Sequence, residues 1–258
     1  MINAFLRRKP VSQYGWFGDY SGWAEAQKEC GGYDAVNILE ACKNSLLKVK
    51  NGEAVYERDS VLFDKIEYSW AALAGFLRCA LENDGKLHVL DFGGSLGSSY
   101  YQNRGFLSVL KEFSWSIVEQ KHFVDCGKEN FEDGVLNFYE TIDLCLMDRQ
   151  PNVLFLSSVL QYLERPYEWI KRFTSLNVDY IILDLTGLID AKDRITVQKV
   201  PPEIYQASYP CWLLNKQKVI DAFSERYMCL SQFNAFAGNE LFVDGQKFGY
   251  GGFILKRK

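Results

Sequence analysis

The sequence predicts an α/β protein with a mostly parallel sheet and helices on both faces. The first observation is a short apolar run, 86–92, that breaks into a glycine-rich turn and leads into a helix. The second is the alternation of strand-like and helix-like segments from there to about residue 184. Successive parallel strands need such crossover helices. We therefore expect an N-terminal helical and aromatic region, 1–84, followed by a ligand-binding domain, 85–258.

The N-terminal region is predicted to be mainly helical. Residues 11–33 are rich in aromatic residues and glycine, which indicates either a loop pinned on the core or a lid over a pocket, with a short helix over 21–30. From Asp34 to about residue 50, apolar residues recur on one helical face. A third helix is predicted from about Val61 to Leu81, before the first strand of the sheet.

The second region supplies the alternating elements. Helices are predicted over about 98–112, 119–132 and 166–176, and strands over 87–92, 114–118, 135–139, 152–156 and 178–183. Residues 186–214 contain Pro201-Pro202 and are predicted to be a long, substrate-side loop insertion. A helix over 215–224 and two β runs, 227–233 and 248–255, complete the chain, the last two as a hairpin on the sheet edge.

Composition excludes several classes of function. A formal charge of −4 and a pI near 5.4 argue against a nucleic-acid binder. The seven scattered cysteines form no C-x-x-C pair, which favours reduced thiols and a cytoplasmic location. We expect neither a signal peptide nor a membrane span. With only two histidines, no metal site is predicted.

The glycine-rich turn is the best candidate for a binding site. It contains an acidic residue and three glycines: Asp91, Gly93, Gly94 and Gly97. Glycines let the backbone approach a ligand closely, and a following helix start offers free N–H groups. Phe92 stands where the dinucleotide pattern G-x-G-x-x-G needs its first glycine. The turn therefore fits a nucleoside ligand better than a dinucleotide.

Polar residues after later strands add to this candidate site. Glu119 follows the second strand, 22 residues after Gly97, where a carboxylate can accept both ribose hydroxyls. A carboxylate there also suits a ligand that carries a sulfonium and no phosphate. Further candidate contacts to the ligand are Gln120, Tyr139, Ser157 and Ser158.

Candidate catalytic groups are Tyr162, Glu57, Asp59 and His122. Arg58 lies between the two acidic residues, and two interpretations stay open for this cluster. It is either a salt network at a helix start, or a site in which Arg58 binds a ligand carboxylate and an acidic neighbour faces the acceptor. In the insertion, Tyr205, Tyr209 and Trp212 either contact the apolar face of a sugar or anchor the loop.

Six segments carry a resemblance that extends from about Gly18 to the end of the chain: 31–33, 56–64, 90–102, 118–120, 155–163 and 197–202. In these segments the sequence resembles a little-characterised bacterial family of class I methyltransferases that depend on S-adenosylmethionine (SAM). The resemblance implies a Rossmann-like fold with a seven-stranded sheet, SAM as methyl donor, and a sugar hydroxyl of a surface polysaccharide as acceptor. Ser95 stands where the methyltransferase motif usually has glycine.

The predicted function is O-methylation of such a hydroxyl, with the oligomeric state left open. One alternative is an NAD-dependent enzyme of sugar-nucleotide metabolism, because Tyr167 and Lys171 have the Tyr-x-x-x-Lys spacing. The other is a module of the same fold that binds a glycan or a partner without catalysis.

Overall fold

The computed structural model describes residues 13–31, 35–202, 204 and 207–258. The helices in this part are α1 (Trp23–Lys28), α2 (Ala35–Lys50), α3 (Trp70–Glu82), α4 (Ser98–Leu107), α5 (Lys121–Asn130), α6 (Ile142–Asp148), α7 (Pro166–Ser175) and α8 (Lys216–Phe223). The strands are β1 (Gly15–Tyr20), β2 (Tyr56–Arg58), β3 (Val61–Phe63), β4 (Lys86–Phe92), β5 (Glu112–Val118), β6 (Leu136–Tyr139), β7 (Val153–Ser157), β8 (Tyr180–Ile189), β9 (Arg194–Lys199), β10 (Ser208–Asn215), β11 (Tyr227–Asn234), β12 (Leu241–Val243) and β13 (Gln246–Arg257). A 3₁₀ turn spans Leu160–Tyr162.

One mixed sheet organises the molecule. Its central part has the strand order β6-β5-β4-β7-β8-β13-β11, in which β13 alone runs antiparallel to its neighbours. The predicted mostly parallel, Rossmann-like sheet is therefore confirmed. These seven strands are joined by β1, β9, β10 and β12, so the sheet has eleven strands in the described residues rather than the predicted seven.

Helices cover both faces because side chains alternate along each strand. On β4, Leu87 and Val89 pack in the hydrophobic cluster that contains α2, α3, α4 and α5. Leu90 packs in the second cluster, with α6, α7 and α8. Asp91 therefore points to the face of α2–α5, at the carboxyl end of its strand.

The prediction of a helix beginning at Val61 is wrong. Residues 56–63 form an antiparallel hairpin, and the helix begins only at Trp70. The two turn residues, Asp59 and Ser60, have φ of 51° and 67°. This is the pattern of a type I′ turn, whose twist suits a two-residue hairpin but which usually contains Asn-Gly or Asp-Gly. The boundary predicted at residue 84 stays a prediction, although β1 pairs with β9.

The prediction of a long loop over 186–214 is also wrong. The fifth predicted strand continues to Ile189, and β9 and β10 follow as an antiparallel pair. Pro210 pairs with Val197 inside β10, although proline usually marks an edge or an interruption. Strands β9 and β10 extend the sheet beyond β8, close to the carboxyl ends of the parallel strands.

Three smaller differences concern element limits. Helix α4 ends at Leu107, and strand β5 already begins at Glu112. Helix α6 was not predicted; Thr141 caps it by accepting a hydrogen bond from the Leu144 amide. The C-terminal hairpin is confirmed, but β13 lies between β8 and β11 and is not at the edge.

Among the described residues, no helix is both long enough and apolar enough to cross a membrane. The same part of the chain has no group of three or more His, Cys, Asp or Glu side chains that could hold a metal ion.

Candidate functional site

The carboxyl ends of β4, β5, β7 and β8 bring polar side chains to one face of the sheet. Ser157, at the end of β7, is paired in register with Asp184 of β8, where the pairing of these two strands ends. Both follow the alternation of residues that pack with α2–α5, and so does Asp91. Glu119 follows β5, and its charge acts on Asp91. Crevices at the carboxyl ends of strands are where open α/β sheets bind ligands.

The packing of the turn explains why it contains three glycines. A Cβ on Gly93, whose φ is +76°, would lie 2.5 Å from Val159 Cγ2. A Cβ on Gly94 would lie 2.5 Å from the Asp91 carboxyl carbon, and one on Gly97, at φ +108°, would meet core side chains of β5 and β6. All three glycines are thus required by the packing of the turn on its own protein, whether or not a ligand approaches it.

Two carboxyl groups are buried at the strand ends. Asp91 is 1% exposed and accepts a hydrogen bond of 2.9 Å from the Trp115 indole, while burial and then the charge of Glu119 raise its pKa to about 7. Asp184 is 2% exposed and accepts from the Leu185 amide at 2.8 Å. Burial raises the pKa of Asp184 to about 6. Burial therefore makes the ionised form of both carboxyl groups less favourable than it is in water.

The β2–β3 hairpin adds two more carboxyl groups. Glu57 is 3% exposed and accepts hydrogen bonds from the Ser98 hydroxyl and, at 3.2 Å, from the Ser60 amide. Because Ser98 is the first residue of α4, Glu57 lies beside the helix that follows the glycine-rich turn. Burial raises the pKa of Glu57 to about 7.

Asp59 differs from Glu57 in its exposure. Its side chain is solvent-exposed, yet desolvation by the surrounding protein raises its pKa. Both observations hold together if the carboxyl group lines an open cleft, where water reaches it but protein surrounds it on most sides.

In the described part of the chain, these acids lack paired cations, although the charge of Arg58 partly offsets the raised pKa of Asp59. Among the described residues, no Lys or Arg forms an ion pair with Glu57, Asp59, Asp91, Glu119 or Asp184. Arg58 is close to Asp59, but its guanidinium lies 2.9 Å from Glu67 Oε2. It also lies over the rings of Phe63 and Phe236, at 5.0 and 5.2 Å from their centroids. Arg58 is thus held by Glu67 and two aromatic rings rather than by these acids.

Left-handed backbone occurs after β4 and β7, within β8 and in the β2–β3 turn. Five non-glycine residues in these places have φ between 46° and 67°: Asp59, Ser60, Ser95, Ser158 and Leu185. Gln161, which is fully buried, donates to the Leu185 carbonyl at 3.0 Å and to the Ser158 hydroxyl at 3.4 Å, and so ties two of them together. Such strain persists where the surrounding structure enforces it, and it is typical of functional sites.

The side chains of Tyr162 and Tyr209 are in contact with each other. The Tyr162 hydroxyl donates to Gln198 Oε1 at 3.0 Å, and its ring contacts that of Tyr209 edge-on at 5.2 Å between centroids. Tyr162 and Tyr209, which were predicted separately as site residues, therefore lie side by side. Tyr205 lies outside the described residues.

Trp212 is not brought to this pair. It lies three residues after Tyr209 on β10 and so points to the opposite face of the strand. Its indole donates to the Glu164 carbonyl at 3.3 Å, and its ring stacks on Trp23 at 6.4 Å. These contacts match the alternative of an aromatic anchor.

The side chains of three further predicted residues, Tyr139, Gln120 and His122, have different surroundings. Tyr139 is paired in register with Val118 and so faces the α6–α8 side, where its hydroxyl bonds to Asp148. Gln120 is exposed at the start of α5. In the described part of the chain, His122 Nε2 is buried and has no hydrogen-bond partner.

The sequence analysis did not identify Gln161, Gln198 and Tyr250 as site residues. Their signals are weak, because single Gln and Tyr residues in β segments are common. Only the strand pairing of β8, β9 and β13 brings Gln198 and Tyr250 near Tyr162.

Comparisons with known proteins find similar folds at low identity. No family model and no curated protein matches the chain. A SAM-dependent methyltransferase from Clostridium acetobutylicum aligns at 9% identity and a TM-score of 0.47, over 74% of this chain and 92% of its own. The N-terminal domain of EvdMO1, solved in the presence of S-adenosylhomocysteine and D-fucose, aligns at 11% and 0.49, over 88% and 98%. Human N-acetylserotonin methyltransferase in complex with SAM aligns at 10% and 0.48, over 72% and 51%.

Proposed function

We propose that this chain transfers a methyl group from SAM to a hydroxyl group. The observation that supports this best is a set of four carboxyl groups near the glycine-rich turn that have no cationic partner among the described residues: Glu57, Asp91, Glu119 and Asp184. SAM carries positive charge on its sulfonium and on its α-ammonium group. Because opposite charge lowers a raised carboxyl pKa, binding of such a cation would favour the ionised form of these acids.

Two parts of the donor, the ribose and the cationic groups, have candidate partners. Glu119 would accept the ribose hydroxyls, and it is oriented by hydrogen bonds from the amides of Gln120, at 2.6 Å, and Ser95. Glu57 and Asp91 would face the cationic part, since both lie beside the glycine-rich turn. Arg58 would then stabilise the hairpin and not bind the donor carboxylate, because Glu67 already occupies its guanidinium.

The acceptor is proposed to be a sugar hydroxyl of a surface polysaccharide or its precursor, as the sequence resemblance implies. A cytoplasmic location is proposed with it, and all seven cysteines are free thiols in the structure.

The donor site is tested by replacing Glu119 with glutamine. A hydrogen bond to a charged group contributes about 1.5–3 kcal/mol. We therefore expect the Kd for SAM, measured by titration calorimetry, to rise about 10- to 100-fold. Glu112→Gln is the matched control, because this exposed residue begins the same strand and pairs with Lys86. No SAM binding by the wild type, or equal affinities of the wild type and Glu119→Gln, would contradict the assignment.

The NAD alternative has less support. A dinucleotide brings a pyrophosphate, which the unpaired carboxyl groups would repel. Tyr167 donates to Asp193 at 2.8 Å and packs with the helices of the other face. Thermal shifts with SAM and NAD separate the two, since a ligand that binds the folded state raises the Tm. SAM binding without transfer to any glycan would favour the non-catalytic alternative.

A further inference from the structure

A group of tyrosines borders the proposed donor site. Val159 fills the space that a Cβ on Gly93 would need, so the segment that follows β7 contacts the glycine-rich turn. Three residues later, Tyr162 bonds to Gln198 and contacts Tyr209. The segment 159–162 therefore connects the glycine-rich turn of the proposed donor site with strands β9 and β10.

Tyr250, which lies on β13, joins this group of tyrosines from a different part of the chain. It pairs with Gly187 across β13 and β8, and its amide donates to the Gly238 carbonyl at 2.8 Å. A Cβ on Gly238 would lie 2.3 Å from Tyr250 Cδ2, so the glycine makes room for the ring. The hydroxyl of Tyr162 bonds to that of Tyr250. Burial, and then the charges of neighbouring acidic groups including Asp59, raise the pKa of Tyr250, so its hydroxyl stays protonated.

The contacts of the β2–β3 hairpin place Asp59 near the same hydroxyl. Arg58 lies over the ring of Phe236 at 5.2 Å, which joins the hairpin to the segment 235–240. That segment carries Gly238, which packs on Tyr250. Asp59 is exposed to the cleft at the tip of the hairpin, and among the described residues it has no ion-pair partner.

We propose that Tyr250, Tyr162 and Gln198 bind the acceptor, that Asp59 accepts its proton, and that the acceptor is a neutral molecule bearing hydroxyl groups. This inference rests on the proposed methyl transfer. Hydroxyl, amide and aromatic groups match a neutral polyhydroxylated molecule, whereas Asp59 and Glu57 would repel an anionic one.

The reaction step follows from these roles. A lone pair of the acceptor oxygen forms a bond to the methyl carbon of SAM. The bond between sulfur and that carbon breaks, and its electron pair stays on sulfur, which gives S-adenosylhomocysteine. The hydroxyl proton passes to the Asp59 carboxylate and from there to solvent, so charge and atoms balance.

The acceptor class is tested with SAM and a panel of p-nitrophenyl glycosides of neutral sugars, with p-nitrophenyl glucuronide as the anionic member. We expect S-adenosylhomocysteine to form with at least one neutral glycoside and at least tenfold more slowly with the glucuronide. SAM binding without transfer to any neutral member, or faster transfer to the glucuronide, overturns the proposal.

The residues are tested on the best acceptor of this panel. A general base contributes about 10²- to 10⁴-fold, so Asp59→Asn should lower kcat at least about 100-fold. Asparagine tolerates the left-handed φ, which keeps the turn intact. Tyr250→Phe should raise the acceptor KM about 5- to 10-fold through one lost hydrogen bond, with a smaller change in kcat. Asp64→Asn is the control, because Asp64 is exposed and directly follows the same hairpin.

Calorimetry with SAM distinguishes failure of the proposed acceptor site from failure of the proposed donor site. In all three variants the Kd for SAM should stay within about threefold of the wild type, because none of these side chains is assigned to the donor. Wild-type kcat in Asp59→Asn, with SAM still bound, overturns the acceptor site alone. Absence of SAM binding by the wild type overturns the proposed function, and this inference with it.

Discussion

Replacing Gly252 with alanine is expected to lower the free energy of unfolding by about 3 kcal/mol. A Cβ at this position would lie 2.1 Å from the backbone oxygen of Leu183 and 2.5 Å from Phe233 Cζ. Gly252 is buried in β13, at an irregularity in its pairing with β8. Since backbone of the central sheet cannot move aside locally, the strands themselves must separate. Urea denaturation measures the change, and a Tm lowered by about 10 °C should accompany it.

Gly105→Ala is the matched control for this prediction. Gly105 lies in α4, is exposed, and has no atom within 4 Å of the position of a Cβ. Alanine there should stabilise the protein by about 0.5–1 kcal/mol, because glycine is unfavourable in a helix. Equal effects of the two substitutions would contradict the strand packing described here.

Replacing Glu57 with glutamine is expected to stabilise the ligand-free protein at pH 8. Burial raises the pKa of Glu57 from 4.5 to about 7, a difference that corresponds to about 3 kcal/mol. The folded state binds this proton more tightly than the unfolded state. The stabilisation that protonated Glu57 contributes is therefore fully present below pH 4.5 and is lost as the pH rises through about 7. Glutamine has no proton to lose, so the variant should exceed the wild type by up to about 3 kcal/mol at pH 8 and match it near pH 4.5.

Urea unfolding at both pH values gives the difference between the two proteins. Glu112→Gln serves as control, because a hydrogen bond from Lys86 lowers the pKa of this exposed carboxyl group. The control should show no gain at pH 8. With SAM added, the wild type should gain more stability at pH 8 than Glu57→Gln, if the carboxylate faces the donor. A pH-independent difference between wild type and Glu57→Gln would contradict the burial of an unpaired acid.

The central sheet could be predicted because its strands are apolar, alternate with helices and end in polar residues. The hairpin at 56–63 was missed because Val61, Leu62 and Phe63 continue into an apolar helical pattern. Its turn contains Asp59-Ser60, where serine gives no signal for positive φ. Strands β9 and β10 were missed because Pro201, Pro202 and Pro210 argue against strands, while pairing with β1 and β8 stabilises them nonetheless.

The proposed donor side was more predictable than the acceptor side. Asp91 and Glu119 follow strands in a regular pattern, and the sequence distance between them reflects one crossover. The surroundings of Trp212 and Tyr139 could not be predicted, because the face on which a side chain lies depends on register, which the sequence does not reveal. Tyr250 needed the complete sheet, since its neighbours come from residues far apart in the chain.

The position of β13 has a consequence for synthesis. This strand lies between β8 and β11 but follows both in the chain. A nascent polypeptide that has reached residue 245 therefore exposes an open apolar edge on β8, with every later pairing still missing. Such an edge can recruit strands from other nascent copies, so translation speed and chaperone supply should govern the yield of this protein more than its final stability does.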